Sequence, residues 1–252
     1  MIRSEQCGCA AVACSKGPKH GRYEDSYAIF PKAKKIVTRL NRGEIFAVFD
    51  GIGSAPEGAR SAEYMSSNII LERFYQQSEN HLATWQGIRD LLFEGNMEIS
   101  KWGLMPGKDR PLGGCAGTVA WINEKKLYIF HAGDTLAILI RDGKPEQLTR
   151  LHEQNGAIYR YFGLGKNLEI EIISRELRNY DRILLISDGI TKAYSPYVAA
   201  DIVEESSDIL QAVKDLAQRA RTKGSTDDIT ALLIEIDDYA TQDGGEWRTE
   251  NC

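Results

Sequence analysis

Five places in the sequence set a carboxylate at the end of an apolar run or in a tight turn: Glu24-Asp25, Asp50-Gly51, Gly133-Asp134, Asp188-Gly189 and Asp227-Asp228. The run IFAVF closes in Asp50-Gly51, and RILLIS closes in Asp188-Gly189. A buried carboxylate without a partner is costly, and these segments offer few Lys or Arg partners. Several carboxylates drawn together also repel, each raising the pKa of the others. A hard divalent cation relieves both penalties, because Mg2+ and Mn2+ take oxygen ligands and tolerate shared carboxylates. A glycine directly after the aspartate lets the chain turn sharply, so that its carbonyl can also face the ion. A single Asp-Gly after a strand is more often only a turn, and Asp142-Gly143 reads that way. It is the ordered set that points to a metal.

These residues need strand ends to carry them. Residues 6–14 and 26–30 read as short strands around a polar loop, and Lys35–Arg39 and Glu44–Phe49 as further strands turning at Asn41-Arg42-Gly43. Helical spacing then takes over. Pro56 suits a first turn, Ala62, Met65, Ile69 and Phe74 recur on one face, and a second helix runs from about Leu82 to Trp102. From Thr118 the period is two, in short strands joined by Asn123-Glu124, Gly133-Asp134 and Asp142-Gly143, which read as hairpin turns. EIEIIS and RILLIS continue the sheet, Ile209 to Ala220 mark a third helix that Gly224 would end, and DITALLIEI is a last strand. No linker or repeat interrupts residues 1–240, so a single α+β domain is expected, followed by an aperiodic, frayed tail at 241–252.

Composition narrows the classes. The 252 residues carry a formal net charge of -5 and no Lys/Arg run, a poor match to a nucleic-acid surface. No apolar stretch is long enough to span a bilayer and no signal-peptide layout stands at the N-terminus, so a cytoplasmic protein is expected. The five cysteines lack paired CxxC spacing, which favours reduced thiols over a disulfide frame or a zinc site.

Taken in order, the motifs resemble those of the metal-dependent Ser/Thr protein phosphatases, the type 2C-like or PPM class. GRYEDSY is similar to that family's first acidic motif and AVFDGIG to its central Asp-Gly motif. The strands around Gly133-Asp134, then LLISDGI and STDDITALLIEI, follow in family order, from about Val12 to Ile236. The resemblance implies a four-layer α-β-β-α sandwich, two antiparallel sheets flanked by helices. It implies hydrolysis of phosphoserine and phosphothreonine by a water that bridges two ions, Mn2+ or Mg2+, with a weaker third ion in some members. Asp50 would bridge the pair, with the Gly51 carbonyl on the second ion, and Asp188 and Asp227 would complete the first. These three aspartates form the implied catalytic set. Glu24 and Asp25 would hold metal-bound waters or lie in the outer shell, and Asp134, with Asp188, would match the third ion.

The resemblance also implies phosphoprotein substrates, an opposing Ser/Thr kinase, and neither nucleic acid nor membrane as partner. The alternative is a pseudophosphatase or a phosphoprotein-binding module with little turnover. Departures from the family pattern are informative. His20 stands where the family usually has the phosphate-binding Arg, so the phosphate contact is one of Lys19, His20 and Arg22. Ile52 occupies a position where eukaryotic members often carry His, which gives the chain a bacterial look. Asp228 replaces the usual Asn. His131 reads as a packed core residue, while His152 is open between core and catalysis. The flap usually found after the QLT strand is reduced to RLHEQNGAIYRYFGLG, with Asn155-Gly156 as a simple turn, so an open, tolerant cleft is expected.

Overall fold

A computed structural model of the chain describes residues 1–76, 80–108 and 110–236. Along the chain the first strands are β1 (Arg3–Cys7), β2 (Ala10–Ser15), β3 (Asp25–Phe30) and β4 (Glu44–Gly51). The central ones are β5 (Cys115–Asn123), β6 (Lys126–Ala132), β7 (Leu136–Arg141) and β8 (Lys144–Gln147). A two-residue pair, β9 (Glu153–Gln154) and β10 (Ala157–Ile158), precedes β11 (Glu171–Glu176), β12 (Arg182–Ile186) and β13 (Ile229–Glu235). The helices are α1 (Lys35–Leu40), α2 (Gly58–Glu63), α3 (Trp85–Ser100), α4 (Asp188–Thr191), α5 (Pro196–Glu204) and α6 (Ile209–Thr222), and a π-helical stretch, Tyr64–Phe74, prolongs α2.

The strands form two antiparallel sheets, β1-β2-β13-β12-β7-β8 and β11-β6-β5-β4-β3. Their central strands are apolar at nearly every position because both faces are covered. Alternation by two then sorts each strand between two cores. Ile183 and Leu185 of β12 face the five-stranded sheet, in a core with Phe46, Val48 and Ile129. Leu184 and Ile186 face away, onto Ala200, Val213 and Leu216 of the helices α5 and α6. On the far side Ala47 and Phe49 pack against Met65, Ile69, Leu92 and Ile99. Three cores between four layers make the α-β-β-α sandwich that the motif order implied.

Several local expectations differ from the structure. Lys35–Arg39 is the helix α1 and not a strand: only Val37 is buried, and Asn41 closes the turn in the left-handed region at φ 48°. Residues 6–14 are not one strand but parts of β1 and β2, folded at Gly8, whose φ of 55° reverses the chain. Helices α4 and α5 lie between β12 and α6, where no helix was expected; α5 is capped by Ser195, whose hydroxyl accepts from the Val198 amide, with Pro196 in its first turn. Gly133-Asp134 is no hairpin either. It carries the chain from β6 in one sheet to β7 in the other. Asn123-Glu124 and Asp142-Gly143 do join hairpins, β5 to β6 and β7 to β8. None of the described cysteines is in a disulfide, while Cys252 and the tail from Thr241 lie outside the described residues.

The crossing at Gly133 is sterically exacting. Its φ is 119°, and a Cβ there would stand 2.3 Å from the Ala116 Cβ. A Gly133→Ala substitution is therefore expected to cost about 2–4 kcal/mol, combining backbone strain with overpacking. Urea denaturation of the two proteins measures it, and a loss below about 1 kcal/mol would show that the crossing relaxes freely.

Candidate active site

The strand-end aspartates meet at one end of the sandwich, and both sheets contribute. Asp50 is the penultimate residue of β4, paired across the sheet with Asp25 of β3 and Ala116 of β5. Asp188 leaves β12 to begin α4, and Asp227 precedes β13. Asp134 sits on the crossing between the sheets. A cleft of about 500 Å³ is lined by Asp50, Asp134, Asp188 and Asp227, together with the basic side chains of His20, Arg110 and Lys192. A larger hollow of about 680 Å³ lies at the other end of β4, beside Glu44, and holds none of the strand-end or turn carboxylates of the five motifs.

Glycines let the backbone come this close. A Cβ on Gly51 would lie 2.6 Å from the Gly58 carbonyl carbon and 2.7 Å from the Glu24 oxygen. The Gly51 amide donates to that Glu24 oxygen at 3.2 Å, which ties the first acidic motif to the second.

The carboxylates are buried or half-buried, and three of them keep an oxygen without a partner. Asp25 Oδ1, Asp50 Oδ2 and Asp134 Oδ1 are enclosed and accept no hydrogen bond. Asp25 Oδ2 accepts from the Thr230 hydroxyl at 2.5 Å, and that hydroxyl also meets the buried Tyr23 hydroxyl. Burial pushes Asp25 up to about 7, against hydrogen bonds from Thr230 and Ser187 and with the charges of Asp228 and Asp188 adding to the rise. Burial and the Asp188 charge likewise push Asp134 up to about 7. Burial raises Asp50 well above the usual carboxylate range, and Asp25, Asp188, Asp134 and Asp227 all push in the same direction. Asp188 is raised by burial despite its Lys192 partner. Asp227 differs: burial opposes its charge, but Lys192 and His20 outweigh burial and hold it below the ordinary value.

Such a set fits a divalent cation. Every candidate donor is oxygen, which suits hard ions. The enclosed, unbonded oxygens are the atoms that an ion would satisfy, and its charge would reverse the mutual repulsion that raises these pKa values.

Of the three basic candidates, only His20 enters the cleft. Its Nδ1 lies 3.1 Å from Asp228 Oδ2 and 3.6 Å from Glu24 Oε2, and its Nε2 lies 3.3 Å from Asp227 Oδ1. Burial works against its charge, but the Asp228 hydrogen bond and the surrounding carboxylates prevail and raise its pKa. Arg22 points elsewhere, its Nη2 donating to the Pro56 carbonyl at 3.3 Å in a separate hollow beside Glu57 and Arg60. Lys19 is exposed and does not line the cleft. Asp228 explains the loop's path: it accepts from the Gly17 amide at 2.6 Å and the Glu24 amide at 2.5 Å.

Lys192 and Arg110 line the cleft without having been anticipated. Lys192 was legible as the fourth residue after Asp188 on one helical turn; Arg110 had no signal. On the opposite rim, Gly156, Ala157 and Ile158 of the β9–β10 hairpin and Tyr161 border the cleft. Asn155 and Gly156 form its turn at φ 52° and 76°.

His131 and His152 belong behind the site. With Glu171 they bring possible ligand atoms within 4.8 Å of one another. Both His131 nitrogens are already engaged, Nδ1 by Thr118 Oγ1 at 2.9 Å and Nε2 by the Arg150 carbonyl at 2.9 Å. Burial drives its pKa down to about 3, so it is a neutral core residue. His152 accepts from the Gly133 amide at 3.2 Å and thereby props the crossing that carries Asp134.

An acidic cluster that fits a divalent cation, at one end of two packed antiparallel sheets, suits metal-dependent hydrolysis, and comparison with known proteins supplies the class. The family model for protein phosphatase 2C matches residues 32–233. A probable protein phosphatase 2C 20 of Arabidopsis thaliana is 28% identical over 222 residues, covering 75% of this chain and 73% of that protein. The serine/threonine phosphatase Stp1 from Staphylococcus aureus superposes with a TM-score of 0.76 at 19% identity, over 94% of this chain and 96% of its own. The PPM Ser-Thr phosphatase MsPP from Mycobacterium smegmatis, solved with cacodylate, gives 0.71 at 21% identity, over 90% and 97%. At these identities the two solved structures speak for the fold. The chain belongs to the protein phosphatase 2C family and is a metal-dependent Ser/Thr protein phosphatase.

Proposed function

We propose that this protein removes phosphate from phosphoserine and phosphothreonine in cytoplasmic phosphoproteins, opposing a Ser/Thr kinase, with residues 1–240 as one catalytic domain. Two Mn2+ or Mg2+ ions, with room for a weaker third, would be held by Asp50, the Gly51 carbonyl, Asp188 and Asp227, with Glu24 and Asp25 behind them and Asp134 toward the third. Bound ions of this kind acidify water and neutralise charge on phosphoryl oxygens. The protein's own part is to keep those carboxylates converged and to present cations to the substrate. The observation that carries this reading is the trio of enclosed, unbonded oxygens on Asp25, Asp50 and Asp134. A phosphoprotein-binding module without turnover would not need to maintain them at the cost of their repulsion.

His20 is the substrate-facing basic side chain in this reading, its Nε2 beside Asp227. His20→Ala is expected to raise KM for a phosphopeptide by roughly tenfold or more, the equivalent of about 1.5–3 kcal/mol for a charged hydrogen bond. Lys19→Ala and Arg22→Ala should leave KM within about twofold. Steady-state kinetics on the three variants decides it, and a KM that moves only with Arg22 would return the phosphate to the outer loop. The short β9–β10 hairpin leaves selectivity to the rim, so broad tolerance in a phosphopeptide panel is expected. Turnover of p-nitrophenyl phosphate with Mn2+, followed by that panel, tests the reading; phosphopeptide binding without hydrolysis would favour the binding module.

A further inference from the structure

Lys192 is an ammonium placed between two of the proposed metal ligands, Asp188 and Asp227. It follows α4 directly, so its side chain rises on the same face as Asp188, one turn earlier. The ammonium meets Asp188 Oδ2 and also donates to Asp227 Oδ2 at 2.7 Å. Its Nζ lines the cleft while half of the side chain stays exposed. An ammonium has three donors and no acceptor, and here two of them take the oxygens that a first ion would need. A divalent cation entering this pair must displace the ammonium or bind beside a positive charge.

We propose that Lys192 is a built-in counter-cation that competes with the divalent ion for Asp188 and Asp227, and so sets the metal affinity of the protein. The competition rests on the reading of those two aspartates as ligands. Without metal, the ammonium holds the pair together; with metal, it is released toward the cleft. A neutral side chain of similar length should bind the ion more tightly and leave the metal-free protein less stable.

The test uses chelator-treated, full-length protein and Mn2+ alone as the probe, measured by isothermal titration calorimetry beside thermal melts. Lys192→Met is expected to tighten Mn2+ binding about tenfold or more, because a unit charge at contact distance is removed. Its metal-free melting temperature should fall, and Mn2+ should restore it. Lys192→Arg, which keeps the charge, should bind Mn2+ no more tightly than the wild type. Because the side chain is half exposed, a folded variant is expected, and the Arg protein checks the charge independently of the Met protein. Equal or weaker Mn2+ binding by Lys192→Met, with wild-type binding intact, overturns the competition alone. Absence of Mn2+ binding by both proteins overturns the competition together with the ligand assignment beneath it.

Discussion

Replacing Asp50 with asparagine lowers kcat for an aryl phosphate by about 10³-fold or more and, in metal-free protein at pH 8, raises the melting temperature. Both effects come from one carboxylate. Asp50 lies among Asp25, Asp188 and Asp134 with its Oδ2 enclosed and unbonded, and burial together with those charges holds its pKa well above the usual range. At pH 8 without a cation, every ionised carboxylate in this cluster repels the next. Asparagine removes one of those charges at nearly unchanged volume. The folded protein is relieved of that repulsion while the unfolded chain is not, so the metal-free variant is the more stable of the two at this pH. Activity moves the other way, because asparagine offers a divalent ion a neutral oxygen where the cluster needs charge. Stability exchanged for function at a strained site is a general pattern. A variant with near-normal kcat, or one that melts below the wild type when metal-free, would contradict this role for Asp50.

Metal-free protein should also lose stability as pH rises from 6.5 to 8, and saturating Mn2+ should abolish that loss. Asp25 and Asp134 have folded values of about 7, raised above the ordinary 3.8. The native state therefore holds protons that the unfolded chain has already released. Their contribution is fully present below the ordinary value and is lost as pH climbs through about 7. His131 has the opposite sign. Its folded value is about 3 against an ordinary 6.5, so its contribution is complete above 6.5 and is lost only as pH falls toward 3. The 6.5–8 window thus isolates the acidic cluster, with the raised His20 adding in the same direction. A loss of about 1–2 kcal/mol is expected across it from Asp25 and Asp134, read as a fall of roughly 2–8 °C in melting temperature. A flat or rising profile in metal-free protein would mean that these carboxylates are not strained by one another.

Much of the site was legible because its grammar is local. Asp-Gly after an apolar strand requires only the chain to turn and the carboxylate to stay, and both facts are written in adjacent residues. The buried alternation of β12 and β13 was equally direct. What was hidden depended on residues far away in the chain. His20 enters the cleft and Arg22 leaves it because Asp228, more than 200 residues on, grips the amides of Gly17 and Glu24. No local signal tells a Gly-Asp hairpin from a Gly-Asp crossing; the difference at Gly133 lies in which sheet receives β7. Lys35–Arg39 alternates like a strand, yet one buried valine and the left-handed Asn41 make it a helix. The helices α4 and α5 are too short for periodicity to speak, although Ser195-Pro196 was a start signal within reach.

The central claim is that divalent ions held by Asp50, Asp188 and Asp227 are required for phosphate hydrolysis. The most direct measurement is the release of phosphate from a phosphoserine peptide by wild-type protein and Asp188→Asn, first in excess chelator and then after return of Mn2+. The account predicts no turnover by either protein in chelator, recovery by the wild type with Mn2+, and almost none by Asp188→Asn. Wild-type turnover that continues at full rate in chelator, or full recovery by Asp188→Asn, would contradict it.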